Sequence, residues 1–136
     1  MDIILLPGED QRLYSLVAHL TMNEDVLKYN LNYPYKTSSE YSWLVATDNG
    51  NTLGFLPVKL EEKVAKINNY YVADDDKAVF SALLKEAIRT FSVDYDLEAI
   101  VQIQHIPDFE KSGFWVALYW KRYAKMKAFR HEKDCL

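Results

Sequence analysis

Residues 64–91 decide the fold, and they read VAKINNYYVADDDKAVFSALLKEAIRTF. Residues 64–72 are rich in β-branched and aromatic side chains, which predicts a strand. The three aspartates at 74–76 then predict the start of a helix, because carboxylates cap the free N–H groups of a helix N-terminus. Apolar residues at helical spacing predict one buried face on that helix. The residues of this face are Phe80, Leu83, Leu84, Ala87, Ile88 and Phe91.

A hairpin is predicted directly before this stretch. Residues 43–47 and 52–60 have the composition of strands, and Asn49-Gly50 lies in the turn between them. An Asn-Gly pair accepts the positive φ that both central positions of a type I′ turn require. A charged turn at 61–63 connects the hairpin to the next strand, so the three strands are predicted to form an antiparallel meander.

The rest of the chain predicts three helices and four strands. They are a strand at 3–6, a helix at 9–20, a second helix that starts at the capping box Thr21–Glu24, a strand at 97–103, a short helix at 107–112, and strands at 114–118 and 119–129. A meander followed by a β-α-β crossover predicts an α+β fold, in which helices flank a mixed, mostly antiparallel twisted sheet. We expect a single domain at 1–130 and a polar C-terminal tail at 131–136.

Composition excludes several classes of protein. The chain has 136 residues, a net charge of −4 and a pI of 5.3, which disfavours a protein whose whole surface coats nucleic acid. Its four glycines form no dinucleotide fingerprint, Walker A loop or nucleophile elbow. A single cysteine, Cys135, and three scattered histidines predict neither an internal disulfide nor a zinc site. Without a signal peptide or a long apolar run, a cytoplasmic protein with no membrane partner is expected.

Four short motifs follow one another in the second half of the chain. Tyr70-Tyr71-Val72 ends a predicted strand, Leu83-Leu84 lies in the following helix, FEKSGF occupies residues 109–114, and Tyr123-x-Lys125-Met126 lies near the end. Together with the order of the predicted elements, these motifs resemble the GNAT superfamily of N-acetyltransferases over residues 10–129. The resemblance implies a GNAT-like acetyltransferase domain.

The resemblance also implies a cofactor and a reaction. In this family, acetyl-coenzyme A is held where the strand ends and in the loop that follows, and its acetyl group passes to an amine. The cofactor-binding residues would be Tyr71, Val72, Lys77, Ala78 and Val79. The pyrophosphate would meet the helix N-terminus, where free N–H groups and the helix dipole favour an anion. The acceptor would be the amine of a small molecule or a peptide, and a homodimer stays open.

The loop departs from the family pattern, which reads Arg/Gln-x-x-Gly-x-Gly/Ala. Asp75, Ala78 and Phe80 stand at the three defining positions, and we expect Phe80 to turn into the core. Asp75 and Asp76 would cap the helix themselves and repel a phosphate, although Lys77 offsets one charge. The alternative function is therefore a GNAT-fold protein that has lost coenzyme A binding and binds a protein or a nucleic acid.

No residue is assigned a catalytic role from the sequence. Phe109 stands where the family often has a tyrosine that protonates the departing thiolate. Tyr70, Tyr71 and His105 are the candidates to replace it. Each also has a structural interpretation, in which the tyrosines pack with their hydroxyl groups at the rim and His105 caps the short helix.

Other polar residues also have two interpretations. Asn68 and Asn69 either contact a ligand or mark a bulge whose amides pair with neighbouring loops. The three aspartates suit a hard cation, but we favour the helix cap and predict no metal site. The tyrosines of the loop before the hairpin suggest an aromatic acceptor cleft, namely Tyr29, Tyr33, Tyr35 and Tyr41.

The C-terminal stretch interleaves basic and aromatic side chains, as single-stranded nucleic-acid sites do. Its basic residues are Lys121, Arg122, Lys125, Lys127 and Arg130. We favour a final strand with one solvated basic face and predict no nucleic-acid partner.

Overall fold

Eight strands and four helices follow one another in the computed structural model, which describes residues 1–129. In chain order they are β1 (Asp2–Pro7), α1 (Gln11–Thr21), α2 (Glu24–Tyr29), β2 (Tyr41–Asp48), β3 (Asn51–Glu61), β4 (Val64–Ile67), β5 (Tyr71–Val72), α3 (Lys77–Phe91), β6 (Asp96–Gln102), α4 (Ile106–Lys111), β7 (Phe114–Tyr119) and β8 (Tyr123–Ala128). Short 3₁₀ turns at Ala73–Asp75 and Ile103–His105 precede α3 and α4. The predicted tail at 131–136, with Cys135, lies outside the described residues.

All strands belong to one sheet, in which the order is β1-β2-β3-β4-β6-β8-β7 and β5 pairs with β3. β4 and β6 are parallel neighbours, connected through β5 and α3. The other paired strands are antiparallel. The predicted crossover, the α+β class and the mixed, mostly antiparallel sheet are therefore confirmed.

Helices cover both faces of the sheet, and the alternation of side chains along β2 shows how. Trp43 and Val45 pack in one apolar cluster with residues of α1 and α2. Leu44 and Ala46 point the other way and pack with residues of α3 and α4 in the larger cluster. Because successive strand residues face opposite sides, a single strand contributes to both cores.

The predicted hairpin turn is confirmed, whereas the predicted cap of α2 is wrong. Asn49 and Gly50 have φ of 50° and 82°, as the Asn-Gly turn requires. α1 continues through Thr21, whose hydroxyl donates to the Ala18 carbonyl at 3.2 Å and is not available as a cap. Asn23 caps α2 instead, and its side chain accepts from two backbone N–H groups of the first turn.

One predicted strand is divided in the structure, and another is shorter than predicted. The strand at 64–72 becomes β4 and β5, because Asn69 adopts a left-handed φ of 57°. Val58 pairs with Ile67, and Phe55 pairs with Tyr71. Between these two pairs, β3 therefore has one residue fewer than the segment that connects β4 to β5. This is a β-bulge, the second interpretation of the two asparagines. The strand expected at 119–129 is β8, separated from β7 by a turn.

Candidate functional site

The sheet opens between β5 and β6. The parallel pairing of β4 with β6 ends where Ile67 lies beside Ala99. Beyond that point the bulge directs β5 toward β3, and β6 continues to Gln102 with β8 as its hydrogen-bonded neighbour. Two parallel strands therefore part from each other just before the chain enters α3.

The start of α3 lies beside this opening and is capped by the chain itself. The Asp76 carboxylate accepts hydrogen bonds from the backbone N–H groups of Ala78, at 2.9 Å, and Val79, at 3.1 Å. Lys77 projects from the same turn and pairs with Asp108 of α4 at 3.0 Å. An anion that binds at this helix start must displace Asp76 from both amides.

Four side chains form a hydrogen-bonded network behind the opening. His105 Nδ1 lies 2.7 Å from the Tyr70 hydroxyl, and its Nε2 lies 3.0 Å from Asp75 Oδ1. Tyr29 donates to the same Asp75 oxygen at 2.7 Å and stacks on the His105 ring. Tyr70 and His105 are each 2% exposed, so both sit in the interior.

The hydrogen bonds determine where the protons of this network lie. An ionised carboxylate only accepts hydrogen bonds, so the Asp75 oxygen favours the tautomer with the proton on His105 Nε2, and Nδ1 of the neutral ring then accepts from the Tyr70 hydroxyl. The backbone N–H of Gln102 donates to the Tyr70 oxygen at 3.0 Å, in keeping with this arrangement. His105 then carries its proton on Nε2, facing Asp75. Burial lowers the pKa of His105, although Asp75 and Asp108 act in the other direction. Burial raises the pKa of Tyr70, so its hydroxyl stays neutral.

A groove lies on the face of the sheet that α1 and α2 leave uncovered. It has a volume of about 240 Å³ and is lined by Tyr33, Asn68, Asn69, Ile100 and Tyr123. The bulge and the opening therefore border a surface from which a second molecule can approach. A neighbouring groove of about 370 Å³ shares two of these residues and extends toward Leu118 and Trp120.

Solved structures share this architecture over nearly the whole chain. An acyl-CoA N-acyltransferase from Pseudomonas aeruginosa superimposes with a TM-score of 0.74 at 16% identity, covering 95% of this chain and 100% of that chain. Escherichia coli ElaA gives a TM-score of 0.74 at 13% identity, covering 94% of this chain and 99% of that chain. The N-acetyltransferase PseH from Campylobacter jejuni, solved with acetyl coenzyme A, gives a TM-score of 0.62 at 14% identity, covering 96% of this chain and 100% of that chain. The chain has the GNAT fold. No protein-family model matches the sequence, and neither does any curated protein.

In this GNAT fold the predicted cofactor-binding residues lie around one turn. Tyr71 and Val72 form β5 at the opening, and Lys77, Ala78 and Val79 form the first turn of α3. Their role toward a cofactor stays a prediction. The prediction that Asp75 also caps α3 is wrong, because its left-handed φ of 50° turns the carboxylate toward Tyr29 and His105.

The structure also settles the structural interpretations of the candidate catalytic residues. His105 makes no side-chain cap on α4, because Tyr70 and Asp75 engage its two ring nitrogens. The Tyr70 hydroxyl lies inside the protein and not at the rim. Phe80 is buried in the core as predicted, and Phe109 is fully buried beside it.

Sequence reasoning missed Tyr29 and Gln102 as partners of this network. Tyr29 was expected in an acceptor loop, but it ends α2 and reaches Asp75 across 46 positions of the chain. Of the four tyrosines assigned to an acceptor cleft, Tyr33 lines the groove, whereas Tyr35 packs on Phe55. The sequence carried no signal for this role, because Tyr29 lies far along the chain from Asp75 and His105.

Within residues 1–129, no group of three or more His, Cys, Asp or Glu side chains comes together in a way that could hold a metal ion. No helix in the same range is long and apolar enough to span a membrane. In the basic stretch, Lys125 of β8 pairs with Glu98 of β6 at 3.4 Å.

Proposed function

We propose that this protein transfers an acyl group, such as acetyl, from a coenzyme A thioester to the amine of a small molecule or a peptide. The opening between β5 and β6, beside the start of α3, carries the proposal. An extended arm fits between strands that part, and its backbone-like amides can pair with a strand edge. PseH, which shares the fold, was solved with acetyl coenzyme A, and this supports the choice of donor.

β5 fits such a donor better than the first turn of α3 does. The backbone of Tyr71 and Val72 would hold the arm along β5. The pyrophosphate would meet Lys77, Ala78 and Val79. However, the Asp76 carboxylate already accepts from the backbone N–H groups of Ala78 and Val79. We therefore expect the pantetheine part of the donor to supply most of the affinity, and the adenosine diphosphate part to supply little.

The bound thioester supplies an electrophilic acyl carbon, and the protein supplies position. The groove lined by Tyr33, Asn68 and Ile100 gives an amine access to the opening from the face opposite α3. Holding two reactants in line in this way accounts for much of the rate of many transfer reactions. The network of Tyr29, Tyr70, Asp75 and His105 beside the opening provides groups that exchange protons.

Thermal unfolding with acetyl-CoA and with S-acetylpantetheine tests the proposal. A ligand present at one hundred times its dissociation constant stabilises a protein by ~2.7 kcal/mol. We expect both thioesters to raise the melting temperature, by similar amounts, because α3 is capped by Asp76. Release of thiol from acetyl-CoA, measured with a panel of primary amines and peptide N-termini, then identifies the acceptor. No stabilisation by either thioester at millimolar concentration would contradict the proposal.

A second function is favoured by the same helix start. If Asp75 and Asp76 exclude a pyrophosphate, the GNAT fold serves here to bind a protein or a nucleic acid. The docking surface would be the β7–β8 hairpin, where large apolar side chains are exposed. They include Trp115, Leu118, Tyr119 and Trp120. If neither acetyl-CoA nor S-acetylpantetheine raises the melting temperature, that result favours this second function.

A further inference from the structure

We propose that Tyr70, His105 and Asp75 form a proton relay that takes a proton from the acceptor amine and passes it to solvent. The proposal rests on the acyl transfer proposed above, since an amine that attacks a thioester has to give up protons. It assigns a base to a site whose neighbouring strand segment, residues 67–72, contains no carboxylate.

The three side chains connect a buried oxygen to the protein surface. The Tyr70 hydroxyl lies 2.7 Å from His105 Nδ1, and His105 Nε2 lies 3.0 Å from Asp75 Oδ1. The His105 side chain is 3% exposed, whereas the Asp75 side chain is 46% exposed. Two hydrogen bonds therefore lead from the interior, next to the opening, to a carboxylate in contact with water.

The direction of these hydrogen bonds allows the Tyr70 oxygen to act as a base. The Asp75 carboxylate accepts from His105 Nε2–H, so Nδ1 of the neutral ring accepts from the Tyr70 hydroxyl, whose oxygen also accepts from Gln102 N–H. When Tyr70 Oη accepts a proton from outside, its own proton moves to Nδ1. The resulting imidazolium has a partner for each N–H, and the Asp75 carboxylate balances its charge, as in hydrolase triads.

The local backbone is strained where it presents Asp75. Asp74 and Asp75 have consecutive left-handed φ values of 56° and 50°, which residues with a side chain adopt rarely. Strain of this kind persists where surrounding contacts hold it, and it is common at functional sites. Here Tyr29 holds the Asp75 oxygen at 2.7 Å and stacks on His105 with ring centroids 5.5 Å apart.

Protons and electrons balance in the transfer. The C–N bond forms as the C–S bond of the thioester breaks, and the electron pair of that bond leaves with sulfur. The ammonium form of the amine gives up two protons. One goes to the sulfur, and the other passes to Tyr70 Oη while the Tyr70 proton passes to His105. The proton on Nε2 then reaches water beside Asp75, which leaves the neutral ring with its proton on Nδ1. The starting state returns when Nε2 takes up a proton from water and Nδ1 gives its proton back to Tyr70, whose other proton leaves through the emptied site; the net result is one proton released to solvent.

The charged groups around His105 keep it ready to accept a proton. Asp75 faces it from the turn before α3, Asp108 from α4 and Lys77 from α3. The neutral hydroxyl groups of Tyr29 and Tyr70 complete its surroundings. Burial has the largest effect and holds the pKa of His105 below its ordinary value of 6.5. The imidazole is therefore neutral at neutral pH.

Histidine-ring NMR tests the resting state of the relay without any ligand. Long-range nitrogen–proton correlation spectra report which ring nitrogen carries the proton, and we expect Nε2. Asp75→Asn should lower the pKa of His105 further, because it removes the nearest carboxylate. Asp74→Asn is the matched control: it removes the same charge from the same turn and should leave His105 unchanged. A proton on Nδ1 at neutral pH would overturn the proposal, since Tyr70 then has no acceptor in His105.

The pH profile of acyl transfer tests the proton movement. With acetyl-CoA and the most active primary amine of the panel, Tyr70→Phe should lower kcat by about 10²-fold or more, as loss of a general base does. Asp75→Asn should lower kcat less and move the acid limb of the profile to lower pH. Neither variant should change KM for acetyl-CoA as strongly as it changes kcat. Asp75 is half exposed, so Asp75→Asn folds even where Tyr70→Phe, which leaves Gln102 N–H unpartnered, does not.

The outcomes separate the relay from the acyl transfer. If the parent protein binds acetyl-CoA and acylates an amine while both variants keep its kcat and pH profile, the relay is wrong and the proposed function holds. If neither thioester binds the parent protein, both the proposed function and the relay are wrong, whatever the NMR spectra show. Loss of kcat with a shifted acid limb supports both.

Discussion

Phe109 is an apolar ring at the position where the resemblance of the sequence leads us to expect an acid tyrosine. The ring is fully buried, with centroids 5.4 Å from Tyr70 and 5.2 Å from Phe114. Phe109→Tyr would add a hydroxyl group to this apolar packing. We expect it to lower the free energy of unfolding by ~1–3 kcal/mol, the cost of a buried unpartnered polar group. Urea unfolding of the variant and the parent protein measures this difference.

The same substitution at an exposed position provides the control. Phe129 is 65% exposed, so Phe129→Tyr should leave stability unchanged. If Phe109→Tyr is as stable as the parent protein and transfers acyl groups faster, position 109 faces the reacting groups and its assignment to the core is wrong.

His105 makes the stability of the protein depend on pH. Its pKa in the folded state lies below 6.5, so the unfolded chain binds more protons between the folded pKa and 6.5. The contribution of neutral His105 is therefore complete above pH 6.5 and is lost as the pH falls through the folded pKa. His105→Gln should be less stable at neutral pH but should lose less stability on acidification, as measured by urea unfolding across this range.

His19, which is exposed on α1, serves as the control for His105. His19→Gln should keep the pH dependence of the parent protein. An unchanged slope in His105→Gln would show that other groups cause the acid sensitivity and that the buried network does not titrate with folding.

The first turn of α3 is the part of the proposed coenzyme A site that the chain itself already caps. Asp76→Ala frees the N–H groups of Ala78 and Val79, and loss of the cap should cost about 1 kcal/mol of stability. We expect the affinity for coenzyme A, measured by calorimetry, to rise, because free amides and the helix dipole favour the pyrophosphate.

Asp76→Asn separates the occupied amides from the charge of Asp76. Asparagine caps a helix as well as aspartate but is neutral. If the amides are the obstacle, Asp76→Asn should bind coenzyme A more weakly than Asp76→Ala. Equal gains in both variants would show that charge repulsion alone limits binding.

Elements with a local signal were predictable from the sequence. α3 follows from the spacing of its apolar residues, and all but Ile88 of the predicted face are buried. The β2–β3 turn follows from Asn49-Gly50. The bulge at Asn69 was one of two interpretations, because strand composition continues through it. The bulge is supported by a contact far along the chain: the Asn30 side chain, 39 positions away, donates to the Asn69 side chain at 2.9 Å.

The candidate site was predictable only in its outline. The motif around Val72 and Leu83 identified the strand, loop and helix that border the opening. The buried network was not predictable, because its contacts join residues 30 to 76 positions apart. A carboxylate in an acidic loop has a local role as a cap, and nothing near Asp75 in the sequence shows that it turns to His105 instead.

At the scale of the whole molecule, the sheet is covered unevenly. α1 and α2 pack on the part of one face formed by β1, β2 and β3. On the same face, β4, β6 and β8 present paired charges: Lys66 lies 3.4 Å from Glu61, and Lys125 lies 3.4 Å from Glu98. This half of the sheet therefore offers an open, largely charge-compensated surface around the groove, which suits a neutral or singly charged acceptor better than a polyanion.

Charge compensation leads to a prediction about nucleic acid. The net charge is −4, and Lys125, near the middle of the basic stretch, pairs with Glu98. Lys121 and Arg122 are exposed at the β7–β8 turn. We expect no binding of a single-stranded oligonucleotide at physiological salt by fluorescence anisotropy. Any binding at low salt should disappear in the double variant Lys121→Ala, Arg122→Ala and persist in the control Lys85→Ala on α3. Tight binding at physiological salt that weakens steeply as salt is added would instead indicate many phosphate contacts, and would favour the binding function over acyl transfer.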